Sequence, residues 1–160
     1  MAYHDDLIQQ ATRLVHQESK KPKQASLRRA VSTAYYGLFH FLIGEGVANW
    51  KQIELRSALS RGFEHNMMKA ASNRIQDKGL FPFAGETPSV VANLKAVAKT
   101  FVRLQDKRHV ADYDNTTIWT RTEALDLVDS AERAIEDWKL IRAERIAQAY
   151  LLSMIVKKRD

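Results

Sequence analysis

The densest run of reactive side chains is Arg103-Leu104-Gln105-Asp106-Lys107-Arg108-His109-Val110-Ala111-Asp112-Tyr113-Asp114. A neutral histidine takes up or gives a proton near neutral pH. An arginine stays charged and grips a phosphate through two parallel hydrogen bonds. Arg103 and His109 are therefore candidates for phosphate chemistry, and Asp106 or Asp112 can hold the imidazole tautomer. On a helix turning ~100° per residue, Asp106, His109 and Tyr113 share one side. Arg103 shares a side with Asp106 and Lys107 but stands about 120° from His109. The two can meet in one cleft only from a helix edge or a kinked end. The plainer alternative is a helix C-terminus carrying cations that favour its dipole. Arg108 also falls in line with Phe101 and Leu104, which suits a buried structural arginine paired with Asp112.

The other histidines are His4, His16, His40 and His65. None forms an HExxH pair, and no metal site is expected. His40 lies between Phe39 and Phe41, as a core histidine would. His65 fits either the surface or a cleft lining. The phosphate loop GxxxxGK[ST], the GxGxxG turn and the GxSxG elbow are all absent, which argues against a Mg-ATP enzyme or a serine hydrolase.

The elements that must position these groups read as helices, because the apolar period is helical and no β-type alternation persists. Leu7, Ile8, Ala11, Leu14 and Val15 give the first helix a face, over about Asp5 to Glu18, ended before Pro22. About Gln24 to Ile43 forms a second helix. Leu27, Val31, Ala34, Leu38 and Leu42 make its stripe, and Tyr35, Tyr36, Phe39 and Phe41 widen it, so it is expected at the centre. Gly44-Glu45-Gly46 reads as its stop. A third segment, about Lys51 to Ser72, is interrupted in quality by Gly62. Residues 77–86 form a loop whose Leu80-Phe81-Pro82-Phe83 plug is expected to pack over the core. Thr87-Pro88 starts the helix that carries the reactive run. Thr120-Arg121-Thr122-Glu123 is a capping box for the last helix. Run unbroken to about Lys157, that helix would measure roughly 55 Å. Its apolar tail, Ile146 to Val156, must then either bend back onto the body or lie against another chain.

The chain has 160 residues, 45% of them hydrophobic, and no cysteine. It is expected to form one domain, 1–160, with no disulfide or thiolate site. The acidic start Met1-Ala2-Tyr3-His4-Asp5-Asp6 lacks the pattern of a signal peptide, and no apolar run reaches the roughly 20 residues of a membrane span. A cytoplasmic protein without a membrane partner is the expectation. The formal net charge of +6 leans towards polyanion partners, or simply towards a basic solvated surface.

Two segments together resemble the HEPN family. Ser26-Leu27-Arg28-Arg29-Ala30-Val31-Ser32-Thr33-Ala34-Tyr35-Tyr36-Gly37-Leu38-Phe39-His40 is similar to its second-helix signature. Arg103 with His109, five residues between them and Ala111-Asp112-Tyr113 after, resembles its other signature. The resemblance implies an all-α, up-and-down bundle of about five helices that forms a homodimer. It implies a metal-independent endoribonuclease, as in toxin or defence components, with RNA held between two copies. His109 would be the general acid/base and Arg103 would stabilise the phosphorane charge. Lys107 and Arg108 would hold the strand, while Tyr113 would stack on a base or orient His109. An antitoxin or a small nucleotidyltransferase is the implied partner, and no cofactor is needed. Leu104 stands where active members carry a polar residue, and the Ala-Asp-Tyr ending also marks non-catalytic relatives. The alternative is a non-catalytic module that binds nucleotide, nucleic acid or a partner protein, and the residue 146–160 tail is a candidate docking surface.

Overall fold

In a computed structural model that describes residues 2–77, 81 and 83–157, the chain is all-α. The helices are α1 Tyr3–Val15, α2 Gln24–Ala48, α3 Arg56–Ser60, α4 His65–Gln76, α5 Pro88–Tyr113, α6 Arg121–Ile141 and α7 Arg145–Ser153. A short 3-10 turn, Ile53–Leu55, leads into α3. No strand occurs among the described residues.

Helix α2 is the axle. It packs against α1, α5 and α6, and α4 closes on α5. Its residues are buried on several sides, from Leu27 and Val31 round to Tyr35, Phe39 and Phe41. The expected stop at Gly44-Glu45-Gly46 does not occur, and α2 runs on to Ala48. Tertiary contacts outweigh the weak helix propensity of glycine there. The Glu45 carboxylate accepts from Trp138 Nε1 at 2.7 Å and pairs with Arg142 at 3.0 Å. Gly46 provides the room for Phe63, whose ring a Cβ at that position would meet at 2.5 Å.

The third segment is not one helix. The chain breaks after Ser60, turns through Gly62 and drops Phe63 into the core. The break makes His65 the first residue of α4. In the 77–86 loop, Phe81 and Phe83 pack against the core with ring centroids 5.4 Å apart; residues 78–80 and 82 lie outside the described set.

Pro88 occupies the first turn of α5 after Thr87, although the Thr87 side chain makes no capping bond. The Thr120 capping box forms: Thr120 Oγ1 accepts from Glu123 N at 3.1 Å, and Thr120 N donates to Glu123 Oε2 at 2.9 Å. The last helix does not extend to Lys157 in one piece. It breaks after Ile141, and α7 folds back to bury Ile146, Ala147, Tyr150 and Leu151. Tyr150 shares a 2.6 Å hydrogen bond with Ser72 of α4, and Arg74 donates to Ser153 O at 3.1 Å. The apolar tail is thus largely spent on its own body. Among the described residues, no helix is long and apolar enough to cross a membrane.

The end of α5 is tied to the start of α2 by one side chain. Arg28 Nη1 donates to Ala111 O at 3.0 Å and Asp114 O at 2.7 Å, and Nη2 donates to Thr117 O at 2.6 Å. Gln24 adds a reciprocal pair with the Trp119 backbone, 2.8 Å each way. A hydrogen bond to a charged group contributes about 1.5–3 kcal/mol, and these three are part-buried. Arg28→Met should lower the unfolding free energy by about 2–3 kcal/mol in urea, whereas Arg29→Met, on the exposed neighbouring position, should change it by less than about 0.5 kcal/mol.

Candidate functional site

Helix α5 remains helical through Tyr113, so the sidedness of the reactive run can be read directly. Asp106, His109 and Tyr113 do share a side. They open onto a groove of about 690 Å³ between α4 and the end of α5. Arg108, Gln105 and Val110 line it from α5, and His65, Asn66 and Lys69 from α4.

Arg103 is not there. Its guanidinium reaches the opposite way, to Asp126 Oδ2 at 2.8 Å and Ser130 Oγ at 3.2 Å on α6. The expected convergence of Arg103 with His109 does not form within the protomer. The physical reason is their angular separation on an unkinked helix, together with the acid that α6 offers Arg103. Lys107 is exposed and is not part of the groove lining.

The carboxylates also take other duties. Asp106 pairs with Lys69 at 2.6 Å. Asp112 lies 3.6 Å from Arg108 and accepts a long 3.4 Å bond from Ser32. Both acids are thus engaged by other partners, and the ring beside His109 is Tyr113, with centroids 4.8 Å apart. Asp114 caps the following turn, accepting from Thr116 Oγ1 at 2.6 Å, Thr116 N at 2.8 Å and Thr117 Oγ1 at 2.9 Å. Those bonds hold its carboxyl down to about 2.

Arg108 is mostly buried, as its alignment with Phe101 and Leu104 implied, yet it reaches the groove. Its guanidinium lies 5.1 Å from the Tyr35 ring centroid and 5.7 Å from that of Tyr36. Aromatic faces of this kind attract a cation while leaving part of it available to another partner.

His65 is the group that spacing alone left undecided. Its ring stacks on Phe39, with centroids 4.2 Å apart and an interplanar angle of 17°. Its Nδ1 shares a 2.6 Å hydrogen bond with the Tyr35 hydroxyl. Burial pushes the Tyr35 hydroxyl well above its ordinary range, against the opposing pull of Arg108, so it keeps its proton. Where that hydroxyl donates, the imidazole proton sits on Nε2; where it accepts, the proton sits on Nδ1. Burial, then the Arg108 charge, then His40 hold His65 below its usual value. Lys69 follows His65 by four residues, one turn along the same face of α4. That spacing is visible in the sequence, but only once α4 is known to begin at His65.

Among the described residues, no group of three or more histidine and carboxylate side chains could hold a metal ion. The groove offers two imidazoles, a lysine paired with the Asp106 carboxylate, a mostly buried arginine, the carboxamides of Asn66 and Gln105, and an exposed tyrosine. That set suits binding of a phosphate-bearing, aromatic ligand. No protein-family model, curated protein or solved structure matches the chain.

The depressed His65 and His40 values fix a sign for pH dependence. The unfolded chain takes up these protons below about 6.5, whereas the folded chain resists them. Their contribution is complete above that pH and is lost as pH falls through it towards the folded values. The urea midpoint of the wild type should fall between pH 7.5 and 5.5, and His65→Gln should flatten part of that fall.

Proposed function

We propose that this chain is a non-catalytic helical module of the HEPN type that binds single-stranded nucleic acid along the groove between α4 and α5. The all-α bundle and the two signature-like segments, Ser26–His40 and Arg103–Asp114, support the family reading. The observation that carries the binding reading is the division of labour on α5. Arg108, His109 and Tyr113 open with Lys69 and His65 onto one groove, while Arg103 is held by Asp126 and Ser130 on another face.

Single strands are bound by cations that follow the phosphates and by aromatic rings on which bases stack. Tyr113 is 68% exposed at the groove edge and can offer such a ring. Lys69 and Asp106 are both substantially exposed, and an ion pair of that kind contributes about 0–1 kcal/mol. A phosphate can replace Asp106 on Lys69 at small cost. The surplus of cations over the whole chain adds a long-range attraction.

The endoribonuclease reading requires Arg103 beside His109. Within one protomer they face different neighbours, so that reading depends on a second copy of the chain to supply one of them. Incubation of a mixed RNA pool in EDTA separates the two. RNA left intact supports the binding module. RNA cut by the wild type and spared by both Arg103→Ala and His109→Ala would establish the nuclease instead.

Binding itself is read by fluorescence anisotropy with a labelled single-stranded oligonucleotide. Tyr113→Ala should weaken it by roughly tenfold. Lys69→Ala should reduce the slope of log affinity against log salt by about 0.7. Arg103→Ala should leave both unchanged. Absence of binding, or an Arg103→Ala loss as large as that of Tyr113→Ala, would overturn the assignment.

A further inference from the structure

A second hollow, of about 330 Å³, opens where the C-terminal end of α2 meets α3 and α7. It shares no lining residue with the α4–α5 groove. Phe63 and Leu151 are buried in it, Leu59 and Ile155 are half-buried, and Trp50 and Leu152 stand at its lip, 51% and 58% exposed. An apolar hollow of this size lies at the lower end of the range for small-ligand sites, roughly 300–1,000 Å³.

One cation is fixed beside the lip. Arg56 Nε donates to Trp50 O at 2.8 Å, and Nη2 donates to Ala48 O at 3.0 Å. Among the described residues, no carboxylate pairs with Arg56. Two carbonyls therefore orient the guanidinium, while its charge and its remaining N–H groups stay available to an anion. The amides of the lining are engaged elsewhere: Asn49 Nδ2 donates to Gln148 Oε1 at 2.7 Å, and Gln148 Nε2 donates to Arg142 O at 2.5 Å. The segments that carry the lip, 50–64 and 152–157, hold Lys51, Arg56, Arg61 and Lys157 against Glu54 and Glu64.

These charges decide between occupants. A second copy of the chain would meet this face with the same face and set cation against cation. A neutral apolar molecule would make no use of Arg56. An anion with an apolar body satisfies both the hollow and its edge. We propose that the hollow is a binding site for a small monocarboxylate with an apolar chain, the chain lying against Trp50, Phe63 and Leu151 and the carboxylate resting on Arg56.

The test titrates the full chain with decanoate, decanol and decyltrimethylammonium, each below the concentration at which it forms micelles. The three probes share one chain and differ in the charge of the head. Trp119 and Trp138 are buried, so a change in tryptophan emission reports Trp50. Decanoate should shift that emission to the blue and bind roughly tenfold tighter than decanol, the effect of one charge-assisted hydrogen bond. The cationic probe should bind more weakly than decanol. Arg56→Gln keeps a donor for the two carbonyls and should bring decanoate down to the affinity of decanol. Leu152→Glu, at an exposed position that folding tolerates, should also abolish the preference for decanoate. Unchanged emission with decanoate, equal binding of decanoate and decanol, or a preference that survives both substitutions overturns the inference. So does a chain that ignores monomeric decanoate but sediments with vesicles of anionic phospholipid, or one that self-associates through this face and becomes monomeric with Leu152→Glu.

Discussion

The last turn of α5, which brings His109 and Tyr113 to the groove, is held by the Arg28 guanidinium. One side chain at the start of α2 ties down Ala111 O, Asp114 O and Thr117 O, where α5 ends and the chain turns towards α6. Helix ends carry carbonyls with no partner inside the helix. Here the Ala111 carbonyl of α5 and the Asp114 and Thr117 carbonyls just beyond it are satisfied from α2, which fixes the last turn, with His109 and Tyr113, against the axle of the bundle. The planar fork of an arginine suits three acceptors spread over two turns; a lysine would concentrate its charge at one point. Asp114 works from the other side of the same junction by capping the turn through Thr116 and Thr117.

Much of this architecture is legible in the sequence because it rests on local signals. The aromatic breadth of Tyr35, Tyr36, Phe39 and Phe41 marks α2 as the central helix, and Thr120 with Glu123 marks the start of α6. The common side of Asp106, His109 and Tyr113 follows from helical geometry alone. What is not legible depends on distant partners. Gly44 and Gly46 read as a stop, yet Trp138, Arg142 and Phe63 carry the helix past them. The basic start Arg28-Arg29 reads as part of a signature, and nothing local says that Arg28 will reach across 83 to 89 residues of chain to the end of α5.

The site shows the same division more sharply. Arg103 and His109 belong together on the page of the sequence, but each is directed by an element that the run itself does not contain. Asp126 and Ser130 take Arg103 to α6, while α4 builds the wall opposite His109. His65 and Lys69 are visible as residues one turn apart, but their membership of the groove follows from the break at Gly62, which aligns α4 with α5. Arg108, the most hydrophobically aligned of the cations, is the one whose charge is both buried and directed to the groove.

The fold-back of α7 has a mechanical meaning for that wall. Helix α4 is short, and its outer side is held by the final helix through Tyr150 on Ser72 and through Arg74 on the Ser153 carbonyl. The face that presents His65 and Lys69 therefore borrows its rigidity from residues some eighty positions further along the chain. If undocking of the last helix alters the affinity of the groove, occupancy of the groove alters the undocking equilibrium by the same factor.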